Sequence, residues 1–482
     1  MKRFFIIILL FSSFLSVAQQ NSYPAFLTEF TQNKLVKNAS VSLFVADKTG
    51  KELLSTTPQL CVTPASVLKL VTSATALELL GGDFKFKTTI WANGEVSNGI
   101  LNGDLIITGG GDPTLGSEYL FKNGEKKKFL SEWVHLIKQA GIDSISGNII
   151  SDPSIYADQD VPQTWIWEDM GNYYGAAARG IAVYDNTFEL IFNTSENIGG
   201  TTDVVRTTPE IPGIELQNEV TSSAENRDNA YVFGSPYDSF RVIKGTLPRG
   251  RNGFAVKAST PDPALLLASE LRKTLADSSV FVTGNIENQK VIPADKIDST
   301  KIIVEWNSPS LAEIIEQLNH ESVNLFAEHL CKHIGLAAKG VGSTNDGTAA
   351  MVEFWKSKGI DTENLFMADG CGLSRFNALT AKTLVEILNY MKQSKWYGAY
   401  EKSVPLTGLQ GTQKYYFQNS ILKGKARAKT GSMTRVRSFA GYMTTQSRSE
   451  ISFAIMVNNF NGPSSNLLRE MEKLMESIYK NF

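Results

Sequence analysis

Both ends of this chain carry the same kind of signal, and that limits the folds open to it. Near the start, a helix is expected around Pro24 to Val36. A hairpin follows: Val41 to Ala46, a turn at Asp47-Lys48-Thr49-Gly50, then Glu52 to Ser55. Near the end, the strand-like run Ile451 to Val457 leads into a helix from about Ser464. Leu467, Leu468, Met471, Leu474, Met475 and Ile478 lie along one side of it. Each end resembles one half of a sheet-plus-helices core. The two chain ends are therefore expected to meet in one domain.

The middle has a different texture. Between about residue 88 and residue 303, short strand-like runs alternate with Gly, Pro, Asn and Asp. Examples are Leu105 to Thr108 before Gly109-Gly110-Gly111-Asp112-Pro113, Val183 to Phe192, and Phe281-Val282-Thr283-Gly284. Helical periodicity is confined to Phe129 to Ala140 and Pro263 to Leu275. A length of 482 residues also suggests more than one domain. The expected division is a discontinuous domain, 19–87 with 304–482, split by a β-rich insertion over 88–303. Gly109 to Asp112 reads as a tight turn rather than a phosphate cradle, because no Gly-Lys-Ser/Thr follows.

Three polar triplets are spread through the flanking segments. Ser66-Val67-Leu68-Lys69 opens a helix in which Val67, Leu68, Val71, Ala74, Leu77 and Leu80 recur at helical spacing. Thr63 is the expected N-cap, Pro64 suits the first helical position, and Gly81-Gly82 stops the helix. Ser66 and Lys69 then share one face. A serine hydroxyl needs a base beside it to act as a nucleophile. A lysine can be that base if burial or a nearby positive charge lowers its pKa, and Lys429 is a candidate for that charge.

Ser322-Val323-Asn324 begins a second apolar-periodic stretch, Leu325, Phe326, Leu330 and Ile334. It reads either as a helix N-cap serine or as Ser322 in a proton path with Asn324 on a substrate amide. Lys429-Thr430-Gly431 precedes the strand-like Phe439-Ala440-Gly441-Tyr442. It is either an ordinary strand end or a sheet-edge pair that holds a carboxylate, with Gly431 letting substrate lie close to the backbone. Taken singly, each triplet is weak. Their order and context favour a joint catalytic reading.

Met1 to Ala18 has the build of a secretory signal: basic Lys2 and Arg3, apolar Phe4 to Val17, and a small-x-small site at Ser16-Val17-Ala18. No cysteine follows that site, and no later apolar run is long enough to span a bilayer. The formal net charge is −2, with basic residues scattered, which argues against a nucleic-acid partner. Cys61, Cys331 and Cys371 make no disulfide framework and read most simply as buried free thiols.

The chain resembles the class C low-molecular-mass penicillin-binding proteins, the D-alanyl-D-alanine carboxypeptidase/endopeptidases of peptidase family S13. The matching stretches include Thr63 to Lys69, Gly110 to Leu115, Trp165 to Asp169, Leu247 to Gly250, Ser322 to Asn324, Asp369 to Arg375 and Lys429 to Gly431. The resemblance implies an α/β (α+β) serine transpeptidase/β-lactamase-like domain with an antiparallel sheet and helices. It also implies two inserted β-rich modules, one nested in the other.

It further implies action on peptidoglycan stem peptides, covalent inhibition by β-lactam antibiotics, no metal or cofactor, and export to the periplasm or cell envelope. Ser66 would be acylated, with Lys69 its base and Ser322 and Asn324 in the proton network and substrate grip. Lys429 and Thr430 would bind the terminal carboxylate. Backbone N–H groups of Ser66 and Ser432 would form the oxyanion hole. Arg375 aligns with an arginine that reaches the side chain of the stem's diamino acid, and Asp169 or Glu168 would face that side chain's amino end. Family members usually carry serine where Cys371 stands. That leaves either a small-for-small swap or an accessible thiol near the cleft.

Other readings are weaker. His329 and His333 have the spacing of a zinc pair, but Glu328 stands on the wrong side of His329 and no third ligand is evident. A β-lactamase would need a glutamate-held water, and no Glu-x-x-Leu-Asn segment is present. An esterase need not keep Lys429-Thr430-Gly431. A noncatalytic wall-binding protein need not keep all three triplets.

Overall fold

The antiparallel pairing of Ser40–Asp47 with Glu450–Asn458 joins the two ends of the chain. The computed structural model describes residues 24–121, 124–157, 160–289 and 301–482. The expected signal over Met1 to Ala18 lies outside the described residues. The central sheet has five strands, all antiparallel to their neighbours. Their order is Ala426–Met433, Val436–Thr444, Glu450–Asn458, Ser40–Asp47 and Glu52–Thr56. Ala426–Met433, with the Lys-Thr-Gly triplet, is thus an edge strand.

Helices cover both faces of this sheet. On one face Leu43, Phe439, Phe453 and Ile455 pack with Leu467, Met471 and Leu474 of helix Ser464–Asn481 and with Leu27 and Phe30 of helix Ala25–Gln32. On the other, Phe44, Ala440, Ala454 and Met456 join Val67, Leu68, Val71, Leu330, Ile334 and Leu384 in a second cluster. Burial on both sides explains why Ile451 to Val457 reads as a nearly continuous apolar run instead of alternating. Helix Lys69–Leu80 is the centre of that second cluster, and every residue from Lys69 to Leu77 is buried. It ends at Gly81, whose φ of 87° is the left-handed stop that glycine adopts readily.

The segment between the two halves forms three further sheets. Residues 87–108, 144–152 and 281–307 supply the seven strands of one, against which Phe129, Trp133 and Ile137 of helix Lys128–Gln139 pack. Its last strand, Ile302–Asn307, pairs with its first, Lys87–Ser97, and runs past the expected boundary at 303. Residues 187–259 make two three-stranded sheets. The second stretch of sequence lies inside the first, and we propose to read them as two modules, one nested in the other.

One strand was misread in the sequence. Val183 to Asn186 is a turn, and the strand begins at Thr187. Tyr184, Asp185 and Asn186 all have positive φ, which Asp and Asn tolerate better than most residues. The Asn186 side chain holds the turn by accepting from Val183 N at 3.0 Å and donating to Ala177 O at 2.8 Å.

The helix Asn324–Lys339 depends on the packing of its buried side against helix Lys69–Leu80. Leu330 is fully buried there. Leu330→Ala should cost about 2–5 kcal/mol, a cavity-forming loss. A urea titration should show a lower midpoint, and an unchanged midpoint would contradict this packing.

Candidate active site

Two distant segments and the adjoining turn converge on Lys69. Its Nζ lies 2.9 Å from Ser66 Oγ, 2.7 Å from Asn324 Oδ1 and 2.6 Å from the carbonyl oxygen of Cys371. Lys69 itself is fully buried, while Ser66 is partly exposed at the floor of a cleft of about 460 Å³. Lys429 forms the second half of the arrangement. It too is fully buried, and its Nζ donates to Ser322 Oγ at 2.9 Å and Thr430 O at 3.1 Å.

The serine is not presented as the sequence suggested. Thr63 does not cap the helix; Ala65–Leu68 forms a 3₁₀ turn ahead of it, with no side-chain cap. The turn is held from outside. The Asn458 side chain brackets Thr63, accepting from its N–H at 2.8 Å and donating to its carbonyl at 3.0 Å. Ala65 has φ of 50°, in the left-handed region. Ser322 has φ of 60°, and it caps nothing: the helix after it starts behind Val323 without a side-chain cap. Such conformations cost about 1–3 kcal/mol each and persist only where surrounding structure enforces them.

Two glycines do that enforcing. A Cβ on Gly431 would stand 2.5 Å from Pro64 O, and one on Gly372 would stand 2.1 Å from Ala65 O. Gly431 is buried against the nucleophile turn, so its smallness seats Ser66 against the edge strand.

Burial dominates the electrostatics. It lowers the pKa of Lys69, while the nearby Cys371, Asp369 and Glu328 act in the opposite direction. Lys429 is lowered well below the usual lysine range by burial first and by the charge of Lys69 second. The expected influence of Lys429 on Lys69 is thus expressed on the other partner, and burial alone leads at Lys69. Two amines in one low-dielectric seam cannot both carry a proton cheaply.

The remaining candidates line the same cleft. Thr430 and Ser432 stand on its edge-strand side, and Thr430 Oγ1 meets Thr412 Oγ1 at 3.1 Å. Lys429 is fully buried, and its Nζ contacts Ser322 and Thr430, which both line the cleft. Asn324 also lines it, with one N–H given to Tyr174 O at 2.8 Å and a second left over. Arg375, Asp169 and Glu168 line it as well. Burial raises the Asp169 pKa, while a hydrogen bond from Tyr174 and the charge of Arg375 act against it.

Behind Lys69, Glu328, Asp369 and Cys371 bring one potential ligand atom each within 4.8 Å of one another. The cluster is built for hydrogen bonding. Asp369 accepts from Gly372 N, Asn377 Nδ2, Ser374 N and Trp165 Nε1, all within 2.6–2.9 Å. The Glu328 carboxyl is pushed up to about 8, by burial first and by Asp369 second. Cys371 is fully buried and its thiol pKa is raised well above the ordinary value, which rules out the accessible-thiol reading. His329 is buried with Nδ1 2.9 Å from Gly111 O, and His333 packs against Phe84 and Phe86. The two are core histidines, with burial lowering their pKa values to about 3 and about 4.

Several participants had no signal in the sequence. The Cys371 carbonyl and the Tyr174 carbonyl are backbone groups that any residue supplies. Asn458 lies 395 positions from the threonine it holds.

A cleft serine beside a buried lysine in a helix-covered antiparallel sheet, faced by Ser-x-Asn and Lys-Thr-Gly, defines a serine hydrolase of the acyl-enzyme type. Residues 25–481 match the D-Ala-D-Ala carboxypeptidase 3 (S13) family, and the chain belongs to it. It is 28% identical over 427 residues to a D-alanyl-D-alanine carboxypeptidase of an Actinomadura species, covering 86% of this chain and 77% of that protein. It is 24% identical to the D-alanyl-D-alanine carboxypeptidase DacB of Haemophilus influenzae, covering 88% and 85%. The crystal structure of penicillin-binding protein 4 from Haemophilus influenzae superposes with a TM-score of 0.80 at 22% identity, covering 94% of this chain and 99% of that one. A predatory peptidoglycan endopeptidase of Bdellovibrio bacteriovorus gives a TM-score of 0.52 at 14% identity, covering 92% of each chain.

The seating of the nucleophile turn is open to direct test. Gly431→Ala should push the Pro64–Ala65 backbone off the edge strand and slow acylation of Ser66 by about tenfold or more, with the fold retained. Stopped-flow acylation by a fluorescent penicillin, beside a thermal melt, measures both. Wild-type acylation in the variant would show that the contact does not position Ser66.

Proposed function

We propose that the enzyme removes the terminal D-alanine of peptidoglycan stem peptides, and opens cross-links between them, through an acyl-enzyme on Ser66. The observation that carries this reading is the contact set of Lys69. A neutral amine has two N–H donors and one lone pair. Asn324 Oδ1 and Cys371 O accept the two N–H groups, which leaves the lone pair for the Ser66 hydroxyl 2.9 Å away.

Ser66 Oγ attacks the carbonyl of the penultimate D-alanine as Lys69 takes its proton. The backbone N–H groups of Ser66 and Ser432 stabilise the oxyanion that forms. Collapse breaks the C–N bond. Ser322, in contact with Lys429, relays a proton to the leaving amine. Water then cleaves the ester by the same path in reverse. Thr430 binds the terminal carboxylate, with the Lys429 amine behind it. Arg375 and Asp169 hold the two charged ends of the diamino-acid side chain, a match of opposite charges.

A β-lactam presents an acylating carbonyl to the same serine, and the Haemophilus protein has been crystallised in complex with a β-lactam. No helix among the described residues is long and apolar enough to cross a membrane. The basic-then-apolar leader at the chain start supports a place in the periplasm or cell envelope.

Two outcomes are expected. Acylation requires a neutral Lys69, so its rate should rise with pH and level off, with a midpoint below the ordinary lysine value of 10.5. That midpoint belongs to the Lys69–Lys429 pair. Lys69→Arg should remove activity across the whole range, because a guanidinium does not deprotonate there. A flat profile in the wild type would count against Lys69 as the base. Separately, Arg375→Ala should lower kcat/KM on natural stem peptides by roughly tenfold or more, the loss of a charge-assisted hydrogen bond. Acylation by a simple penicillin, which lacks that side chain, should stay near wild type. Equal losses on both would assign Arg375 to the support of the centre.

A further inference from the structure

One helix governs both acceptors that orient Lys69, the first directly and the second through a loop. Asn324 and Glu328 stand one turn apart on helix Asn324–Lys339 and so share a face. Asn324 Oδ1 lies 2.7 Å from Lys69 Nζ. Glu328 Oε1 accepts instead from Gly370 N at 2.8 Å. The next carbonyl of that loop, Cys371 O, is the second acceptor for Lys69, at 2.6 Å.

The loop is pressed onto the helix. A Cβ on Gly370 would stand 2.6 Å from Cys331 Cβ and 2.8 Å from Ala327 O. Both polar groups of Gly370 are held: Glu328 accepts from its N–H, and Thr72 of helix Lys69–Leu80 donates to its carbonyl at 2.6 Å. The peptide that follows Cys371 gives its N–H to Asp369 Oδ1 at 2.7 Å, so the carbonyl facing Lys69 is fixed at its other end too. The Cys371 thiol donates to the Glu328 carboxyl as well.

A neutral amide of the same shape would hold the Gly370 N–H without burying an ionisable group. The carboxyl adds charge. Cys371, Asp369 and Glu328 all act on Lys69 against the effect of burial. Glu328 is itself faced by Asp369 and Cys371 from the loop and by Lys332 on its own helix. From the edge strand, Lys429 faces Lys69.

We propose that Glu328 is a positioning residue for acylation: it fixes the Cys371 carbonyl that turns the Lys69 lone pair toward Ser66, and its negative charge helps set the pH at which Lys69 becomes a base. The inference rests on the reading of Ser66 as nucleophile and Lys69 as its base. A carboxylate beside Lys69 favours the ammonium form and so opposes the lowering that burial causes. Removing that charge should free the lone pair at lower pH.

The test is the pH profile of Ser66 acylation by a fluorescent penicillin, with Glu328→Gln and Glu328→Ala beside the wild type and a thermal melt of each. Glutamine keeps an oxygen for Gly370 N–H and loses the charge. Its plateau rate should stay within about threefold of wild type, while the midpoint falls by about half a pH unit or more. Alanine loses the oxygen too, and its plateau should drop by about tenfold or more as the Lys69 amine loses its orientation. A purely structural role would lower the melting temperature and leave the midpoint where it is. A glutamine variant with an unmoved or raised midpoint would overturn the proposal, as would one whose plateau is as low as that of alanine. An alanine variant with the wild-type plateau would do the same. If the alanine variant does not fold, the glutamine profile decides alone. A wild-type protein labelled on a serine other than Ser66 would overturn the reading of the nucleophile first, and this inference with it.

Discussion

Two lysine amines buried in one seam set the terms for the rest of this structure. Burying an ammonium is expensive, and burying two side by side is more so. The fold meets that cost by lowering both pKa values and supplying each Nζ with fixed oxygen acceptors. The acceptors must be rigid, because a neutral amine with the wrong partners would turn its lone pair away from Ser66. That requirement reaches outward to the loop that carries Cys371, which Asp369 ties down through four donors. One of those donors, Trp165, belongs to the inserted region.

The insertion is therefore part of the centre. Tyr174 O fixes the Asn324 amide, and the fixed amide in turn orients its oxygen toward Lys69. Asp169 and Tyr174 line the catalytic cleft themselves. The backbone strain at Ala65 and Ser322 is sustained in the same way, from several directions at once. Close packing does not deform gradually, so these turns hold one arrangement.

Much of this was legible in the sequence, and the failures have a common cause. Apolar periodicity located helix Lys69–Leu80, and helix Asn324–Lys339 starts where Ser322-x-Asn324 suggested. Ile451 to Val457 and Ser464 onward fell where their patterns indicated, because a buried strand and an amphipathic helix are local signals. The geometric misreadings arose where a polar side chain outside the apolar pattern decides. Thr63 looks like a cap in isolation, but Asn458 captures it. Val183 looks like a strand residue, but a side chain three positions on folds it into a turn.

The pairing of Ser40–Asp47 with Glu450–Asn458 has a consequence for how the molecule is made. The first hairpin offers an unpaired strand edge as soon as it forms, and its partner is synthesised only after the three inserted sheets. The central sheet cannot close until nearly the whole chain is present, while the inserted sheets have all of their strands earlier. Contacts this far apart in sequence form slowly, and an open edge awaiting its partner is exposed to wrong pairing. The nucleophile and its base are neighbours from the start, but the surface that makes them chemically useful is assembled last. A nascent or truncated chain therefore carries Ser66 and Lys69 as an ordinary hydroxyl and a solvated amine, with no catalytic competence until its C-terminal strands arrive.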